Sequence, residues 1–196
     1  FDAAIGNIPF GAFKVADKRY DKNNWLIHDY FFGKTIDKVR PGGVIAFITS
    51  KGTLDKENPA VRKYIAQRCE LLGAIRLPNN TFKAAAGTEV TSDIIFLQKK
   101  DRIDYEEPDW VHLATDENGI TMNSYFVDNP EMVCGEMKMI SGPFGPESAC
   151  VPYDDTPLED LLYSAIQSIG GQITEYEVED AEEDRDDDSI PADPEV

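Results

Sequence analysis

The chain has few cysteines and no long apolar segment, and each shortage excludes a class of protein. Its three cysteines, Cys69, Cys134 and Cys150, are odd in number and widely spaced, without a Cys-x-x-Cys pair. We therefore expect reduced thiols, with no disulfide framework and no metal site. No apolar segment approaches the roughly 18 residues of a membrane-spanning helix, and no signal-peptide pattern is present. These shortages predict a cytoplasmic protein with no membrane partner.

Basic residues are also scarce, with 19 Lys and Arg against 37 Asp and Glu and a formal net charge of −18. DNA binds a basic face, so this balance argues at first against a nucleic-acid partner. However, residues 175–196 contain twelve acidic residues and one Arg, a net charge of −11, which leaves −7 for residues 1–174. We expect this acidic tail to be disordered. The mildly acidic body predicts weak affinity for DNA when it acts alone.

Apolar segments alternate with helical stripes over residues 1–100, which is typical of an α/β layered domain. No crossover helix separates the last two predicted strands, which indicates an antiparallel pair at the end of the sheet. The predicted strands span residues 1–7, 44–49, 71–77 and 90–99, and the predicted helices span residues 23–39 and a segment with Asn58 as N-cap and Pro59 in its first turn.

Residues 101–174 differ in composition, with Pro-Asp, Asn-Gly and Gly-Pro turn pairs between short apolar pieces. The turn signal at residues 116–119 predicts a hairpin between residues 110–113 and 120–122. A helical stripe over residues 157–169 ends at Gly170-Gly171. We interpret this part as an appended mixed segment with one helix, outside the α/β domain.

The tetrapeptide Asn7-Ile8-Pro9-Phe10 carries the most chemical information. A planar exocyclic amine such as adenine N6 is a poor nucleophile, and acceptors that hold its two protons make it more reactive. The Asn7 side-chain oxygen and the Ile8 carbonyl oxygen are two such acceptors, and Pro9 restricts Ile8 to extended conformations. Phe10 offers a ring for stacking an extruded base. Such stacking is worth roughly 1–3 kcal/mol, which is comparable to the few kcal/mol of extrusion.

The position of this motif supports the hypothesis, because ligands of open α/β sheets bind at the carboxyl ends of strands. Gly11 opens the polar loop that follows the motif, and we count it as a candidate substrate-binding residue. Ser50 and Lys51 follow the second strand and either line the cleft, with the lysine near a phosphate, or form a solvated loop. His28 is interpreted as a surface or packing residue.

These residues resemble the N6-adenine DNA methyltransferases, which have an Asp/Asn/Ser-Pro-Pro-Tyr/Phe motif at the end of their fourth strand. The resemblance covers about residues 1–100. It implies strands four to seven of a partial Rossmann-like methyltransferase sheet, and transfer of a methyl group from S-adenosylmethionine to N6 of a flipped adenine in DNA. It also rests on the surrounding elements: Phe1–Asn7, a helix with Trp25 and His28, Pro41-Gly42-Gly43, Val44–Thr49 and Thr88–Lys99.

Within that group the chain looks most like the methylase modules of very large helicase–methylase polypeptides of mobile elements. Residues 123–126 (NSYF) and 130–133 (PEMV) also look like the segment after the methylase there.

Two features depart from the family pattern. Ile8 replaces the first Pro, and no glycine-rich cofactor loop precedes the motif. The resemblance therefore implies a fragment that lacks the cofactor pocket, which the upstream part of the parent polypeptide would supply, with a helicase module as a further partner. We assign no cofactor-binding residue in this chain.

Two other functions stay open from the sequence. A similar motif serves other planar amide-like nitrogens, so a protein-glutamine or RNA methyltransferase is one alternative. The other is a non-catalytic methyltransferase-like scaffold in a larger DNA-processing protein.

Overall fold

The computed structural model describes residues 1–9 and 11–176. Phe10 and residues 177–196, which include most of the predicted acidic tail, lie outside the described residues. The stacking role of Phe10 and the disorder of the tail therefore stay predictions.

Four strands form the central sheet in the order β1-β2-β4-β3. β1 and β2 are parallel, whereas β4 is antiparallel to both of its neighbours, β2 and β3. The predicted α/β sheet with an antiparallel final hairpin is therefore confirmed. β3 begins two residues before its own predicted start, whereas β4 begins two residues after its predicted start. The strands are β1 (Ala3–Asn7), β2 (Val44–Ser50), β3 (Cys69–Leu77) and β4 (Ser92–Lys99).

Two helix starts differ from the predictions. The first helix begins at Ile27, four residues after its predicted start, because Asn24 adopts a left-handed conformation (φ 55°) after a 3-10 turn. Pro59 occupies the N-cap position assigned to Asn58, although the Asn58 side chain still accepts a hydrogen bond from the Ala60 amide at 3.0 Å. The helices are α1 (Ile27–Lys38), α2 (Gly52–Asp55), α3 (Ala60–Arg68), α4 (Lys83–Ala86), α5 (Ser124–Asp128) and α6 (Leu158–Gln167).

None of the helices within residues 1–9 and 11–176 combines the length and the hydropathy that crossing a membrane requires.

Two small hairpins follow the sheet. The first pairs β5 (Leu113–Thr115) with β6 (Thr121–Asn123), which confirms the predicted hairpin. Both strands lie later in the chain than predicted, β5 by three residues at its start and β6 by one. The second pairs β7 (Glu136–Gly142) with β8 (Gly145–Val151) and was not predicted. Its Gly-Pro pairs suggested turns, and its apolar residues alternate only near the base, so the pattern of a half-buried strand is weak.

The two faces of the sheet are covered unequally. On one face α1 packs against β2, with the Phe32 ring 5.3 Å from the Phe47 ring. The opposite face is only partly covered across β1, β2 and β4, and Ile5 is 85% exposed there. We call this surface the open face, and the strand register assigns seven apolar residues to it: Ala3, Ile5, Val44, Ala46, Ile48, Ile94 and Phe96.

All three cysteines are free and buried, as expected for reduced thiols. Burial raises the pKa of Cys69 and Cys150 to about 12 and that of Cys134 to about 11. Since the thiolate is the reactive form, we expect Ellman's reagent at pH 8 to label no thiol of the native protein within minutes, and all three after denaturation in guanidinium. Rapid labelling before unfolding would contradict this.

Candidate active site

The strand directions place the sequence motif and two other predicted residues at one edge of the sheet. β1, β2 and β3 point the same way, so they end together at the side where β4 begins. We call this side the carboxyl edge. Asn7 lies beside Ile48 in the register, and Ser50 ends β2 two residues later. The structure therefore brings Asn7 close to the segment Ser50-Lys51.

The backbone of the motif is fixed to the sheet at Ile8. Its amide donates a hydrogen bond to the Ile48 carbonyl at 2.9 Å, and its side chain is 3% exposed. A proline at this position would lack that amide hydrogen, so isoleucine adds a strand-to-strand hydrogen bond at the departure from the family pattern. Asn7, by contrast, is exposed. The motif thus combines a rigid backbone with an accessible side chain.

The loop after the motif is tied to α1. The Ile27 amide donates to the Phe13 carbonyl at 3.0 Å, and Lys34 contacts Asp17 at 2.8 Å. Gly11 lies against the Phe13 ring, where a Cβ atom would approach the ring to 2.8 Å. A larger residue at position 11 would therefore displace the Phe13 ring.

Lys51 reaches from the carboxyl edge to the second hairpin. Its amide donates to the Thr91 carbonyl at 2.9 Å, and its Nζ donates to the Ser148 Oγ at 3.2 Å. Ser50 is half-buried beside Ser92. Lys51 therefore adds positive charge at the edge and also links it to a segment 97 residues away. The Lys51–Ser148 hydrogen bond could not be predicted because no local sequence pattern indicates it.

His28 lies at the start of α1 in a small polar cluster. The buried Asp29 carboxylate accepts hydrogen bonds from Lys56 at 2.9 Å, and the His28 Nε2 atom lies 3.5 Å from it. Burial lowers the pKa of His28 despite the neighbouring carboxylate. A half-buried neutral imidazole beside an existing ion pair fits the packing interpretation.

A buried charged cluster lies behind the carboxyl edge and was not predicted. The fully buried Arg76 guanidinium contacts Asp93 at 2.8 and 2.9 Å and Asp55 at the same two distances. Its Cζ atom lies 4.4 Å from the centre of the Phe126 ring. Burial alone would lower the pKa of Arg76, but the two carboxylates outweigh it and raise that pKa above its usual range. Arg76 is therefore a permanent cation.

This cluster joins the sheet to the segment after residue 100. Asp55 also accepts a hydrogen bond from the Asn123 amide at 2.9 Å, and the Asn123 side chain donates to the carbonyls of Leu54 and Trp110 at 2.8 Å each. The Cys134 amide donates to the Arg76 carbonyl at 2.8 Å. The predicted appended segment is thus packed tightly behind the candidate site.

Comparison with known proteins adds one partial relative. The chain is 30% identical over 131 residues to Defense against restriction protein B of Escherichia phage P1. The match covers 65% of this chain but only 6% of the length of the phage protein.

Among solved structures, a proposed class I S-adenosylmethionine-dependent methyltransferase from Listeria monocytogenes is 23% identical, covering 55% of this chain and 34% of its own, with a TM-score of 0.41. A modification subunit of a proposed type I restriction enzyme from Vibrio vulnificus YJ016 is 16% identical, covering 82% and 39%, with a TM-score of 0.42. Both likenesses are partial. The model of the family described as N-6 DNA Methylase matches residues 1–124, more than half of the chain, and the chain belongs to that family.

Proposed function

We propose that this chain forms the amine-binding half of a catalytic domain that methylates N6 of an adenine flipped out of DNA. The observation that carries the proposal is the arrangement of residues 7–9, in which the Ile8 backbone is fixed by a hydrogen bond and by burial while Asn7 is exposed at the carboxyl edge. Membership of the N-6 DNA methylase family supports the same chemistry.

In this proposal the Asn7 side-chain oxygen and the Ile8 carbonyl oxygen accept one hydrogen bond each from the adenine amine. Holding both protons reduces the delocalisation of the nitrogen lone pair into the ring, so the lone pair becomes available for attack. Pro9 keeps Ile8 extended, which aims its carbonyl. Phe10 stacks on the extruded base, and Gly11, Ser50 and Lys51 contact the substrate nearby.

S-adenosylmethionine supplies an electrophilic methyl group when it is bound. We assign no residue of this chain to the binding of that cofactor. We therefore propose that the upstream part of the parent polypeptide supplies the pocket, with a helicase module as a further partner. Two observations support this: the chain spans only 6% of its phage relative, and the open face leaves apolar residues such as Ile5 uncovered.

The test uses the longest natural polypeptide that contains this chain, with a methyl-labelled donor and three acceptors: duplex DNA, RNA and a glutamine-containing protein. We expect label in DNA, recovered as N6-methyladenine after nuclease digestion and mass spectrometry. Label in RNA or protein instead would favour the alternative acceptors. A polypeptide that neither binds the donor in calorimetry nor transfers the label would be a non-catalytic scaffold.

A further inference from the structure

The hairpin of β7 and β8 has a buried base and an exposed outer half. Met137, Ala149 and Cys150 are buried at the base. Beyond them Met139 is 57% exposed, and Phe144, in the turn, is fully exposed to solvent (relative exposure 104%). We call residues 139–146 the arm. Because the arm packs on little of the protein, the stability of the core does not explain its aromatic residue.

The base of the arm is fixed at the carboxyl edge. The Cys150 amide donates to the Thr91 Oγ1 at 3.0 Å, and the Asn79 amide donates to the Cys150 carbonyl at 2.8 Å. On the same strand, Ser148 accepts the hydrogen bond from Lys51. The arm therefore starts from the edge that also holds Asn7.

The turn of the arm holds Phe144 at its apex. Gly142 and Gly145 are the last paired residues, with Pro143 and Phe144 between them. Pro143 restricts its own φ, and Gly145 has a φ of 118°, which favours glycine. The backbone of the turn is thus well defined.

Charge and size indicate what the arm contacts. Residues 139–146 (MISGPFGP) contain no charged side chain, and the nearest acidic residue of the hairpin, Glu147, pairs with Ile140 short of the turn. The turn itself therefore carries no charge that would repel a phosphate backbone. Met139 and Phe144 are its only large exposed apolar residues, which is too little surface for a specific protein interface of roughly 800 Å² per partner. A single aromatic ring does fit a base step, and a two-stranded β-ribbon fits the major groove.

We propose that the arm is a DNA-contacting element that inserts Phe144 among the bases of the duplex beside the adenine to be methylated. This inference rests on the proposed function, because it takes DNA as the substrate. Extruding a base removes its stacking on both neighbours, and an aromatic ring placed in the vacated gap stacks on the bases left exposed. The arm would thus stabilise the duplex in the state in which the adenine is available to Asn7.

The test compares Phe144→Ala and Phe144→Trp in the longest natural polypeptide that contains this chain. Two properties are measured on plasmid DNA: the rate of methyl transfer, and the linking-number change left after topoisomerase relaxation in the presence of the protein, which reports insertion between bases. We expect Phe144→Ala to lose about tenfold or more in rate, the scale of one base stack, and to lose the linking-number change. Phe144→Trp should keep both.

Tyr105→Ala is the matched control. Tyr105 is an exposed aromatic residue (78%) near the opposite edge, where the neighbouring Asp104 amide donates to the Gln67 carbonyl at the end of α3. The Tyr105→Ala variant should match the unmodified protein in both the rate of methyl transfer and the linking-number change. Circular dichroism checks that each variant is folded.

The outcomes separate this inference from the proposed function. If the unmodified protein methylates DNA and Phe144→Ala does so at the same rate with the same linking-number change, the inference is wrong and the proposed function stands. A slower Phe144→Ala variant with an unchanged linking number also overturns insertion. If no DNA is methylated but the linking-number change depends on Phe144, the arm binds DNA as proposed and the methylation hypothesis fails.

Discussion

Replacing Asn7 by Ala is expected to lower the rate of methyl transfer to DNA by about a hundredfold or more, the scale found when one preorganised hydrogen-bonding group is removed from an active site. The Asn7 side chain is exposed, so little packing is lost with it. The Ile8 amide and side chain, which fix the motif, are unaffected. Rates come from single-turnover transfer of labelled methyl groups by the longest natural polypeptide that contains this chain.

Two further variants isolate the acceptor oxygen. Asn7→Asp keeps an oxygen in place and matches another residue of the family motif, so it should retain more activity than Asn7→Ala. Asn118→Ala removes an exposed asparagine from the turn between β5 and β6, where only its backbone amide bonds to Asp116, and should have no effect. An Asn7→Ala enzyme that works at the normal rate would remove Asn7 from the mechanism.

The central sheet could be predicted because its strands are short apolar runs separated by clear turn signals. β2 and β4 have apolar centres, and the absence of a helical stripe between the last two predicted strands argued against a parallel connection. The position of Asn7 at the carboxyl edge followed directly from the end of β1. Local sequence thus determined the sheet and the first candidate residue.

The remaining features depend on partners far apart in the sequence. In the sequence Lys51 is an ordinary loop lysine, and its hydrogen bond to Ser148 is visible only in the structure. Arg76 sits in a strand pattern where a buried cation is unexpected, and its partners lie 17 and 21 residues away in different elements. The second hairpin has too few buried residues to show the alternation of a strand. Only tertiary structure reveals these contacts.

Replacing Arg76 by Ala is expected to destabilise the fold by roughly 3–5 kcal/mol, the usual effect of removing one partner of a buried ion pair. The change leaves the Asp93 and Asp55 carboxylates facing each other without a cation, and Asp93 is fully buried. It also removes the contact with the Phe126 ring. The free energy of unfolding, measured by urea titration at pH 7, provides the test.

The matched control for this change is Arg40→Ala, which breaks an ion pair with Asp2 whose side chains are 46% and 83% exposed. Exposed pairs contribute roughly 0–1 kcal/mol, so the two arginine variants should differ by several-fold in their loss of stability. Equal losses would mean that the buried Arg76 cluster contributes no more to stability than an exposed ion pair. A large loss confined to Arg76→Ala would show that the buried cluster stabilises the fold, and this cluster includes Asp55, which accepts a hydrogen bond from the Asn123 amide. The sheet that carries the candidate site would then be stabilised in part by contacts with residues beyond position 100.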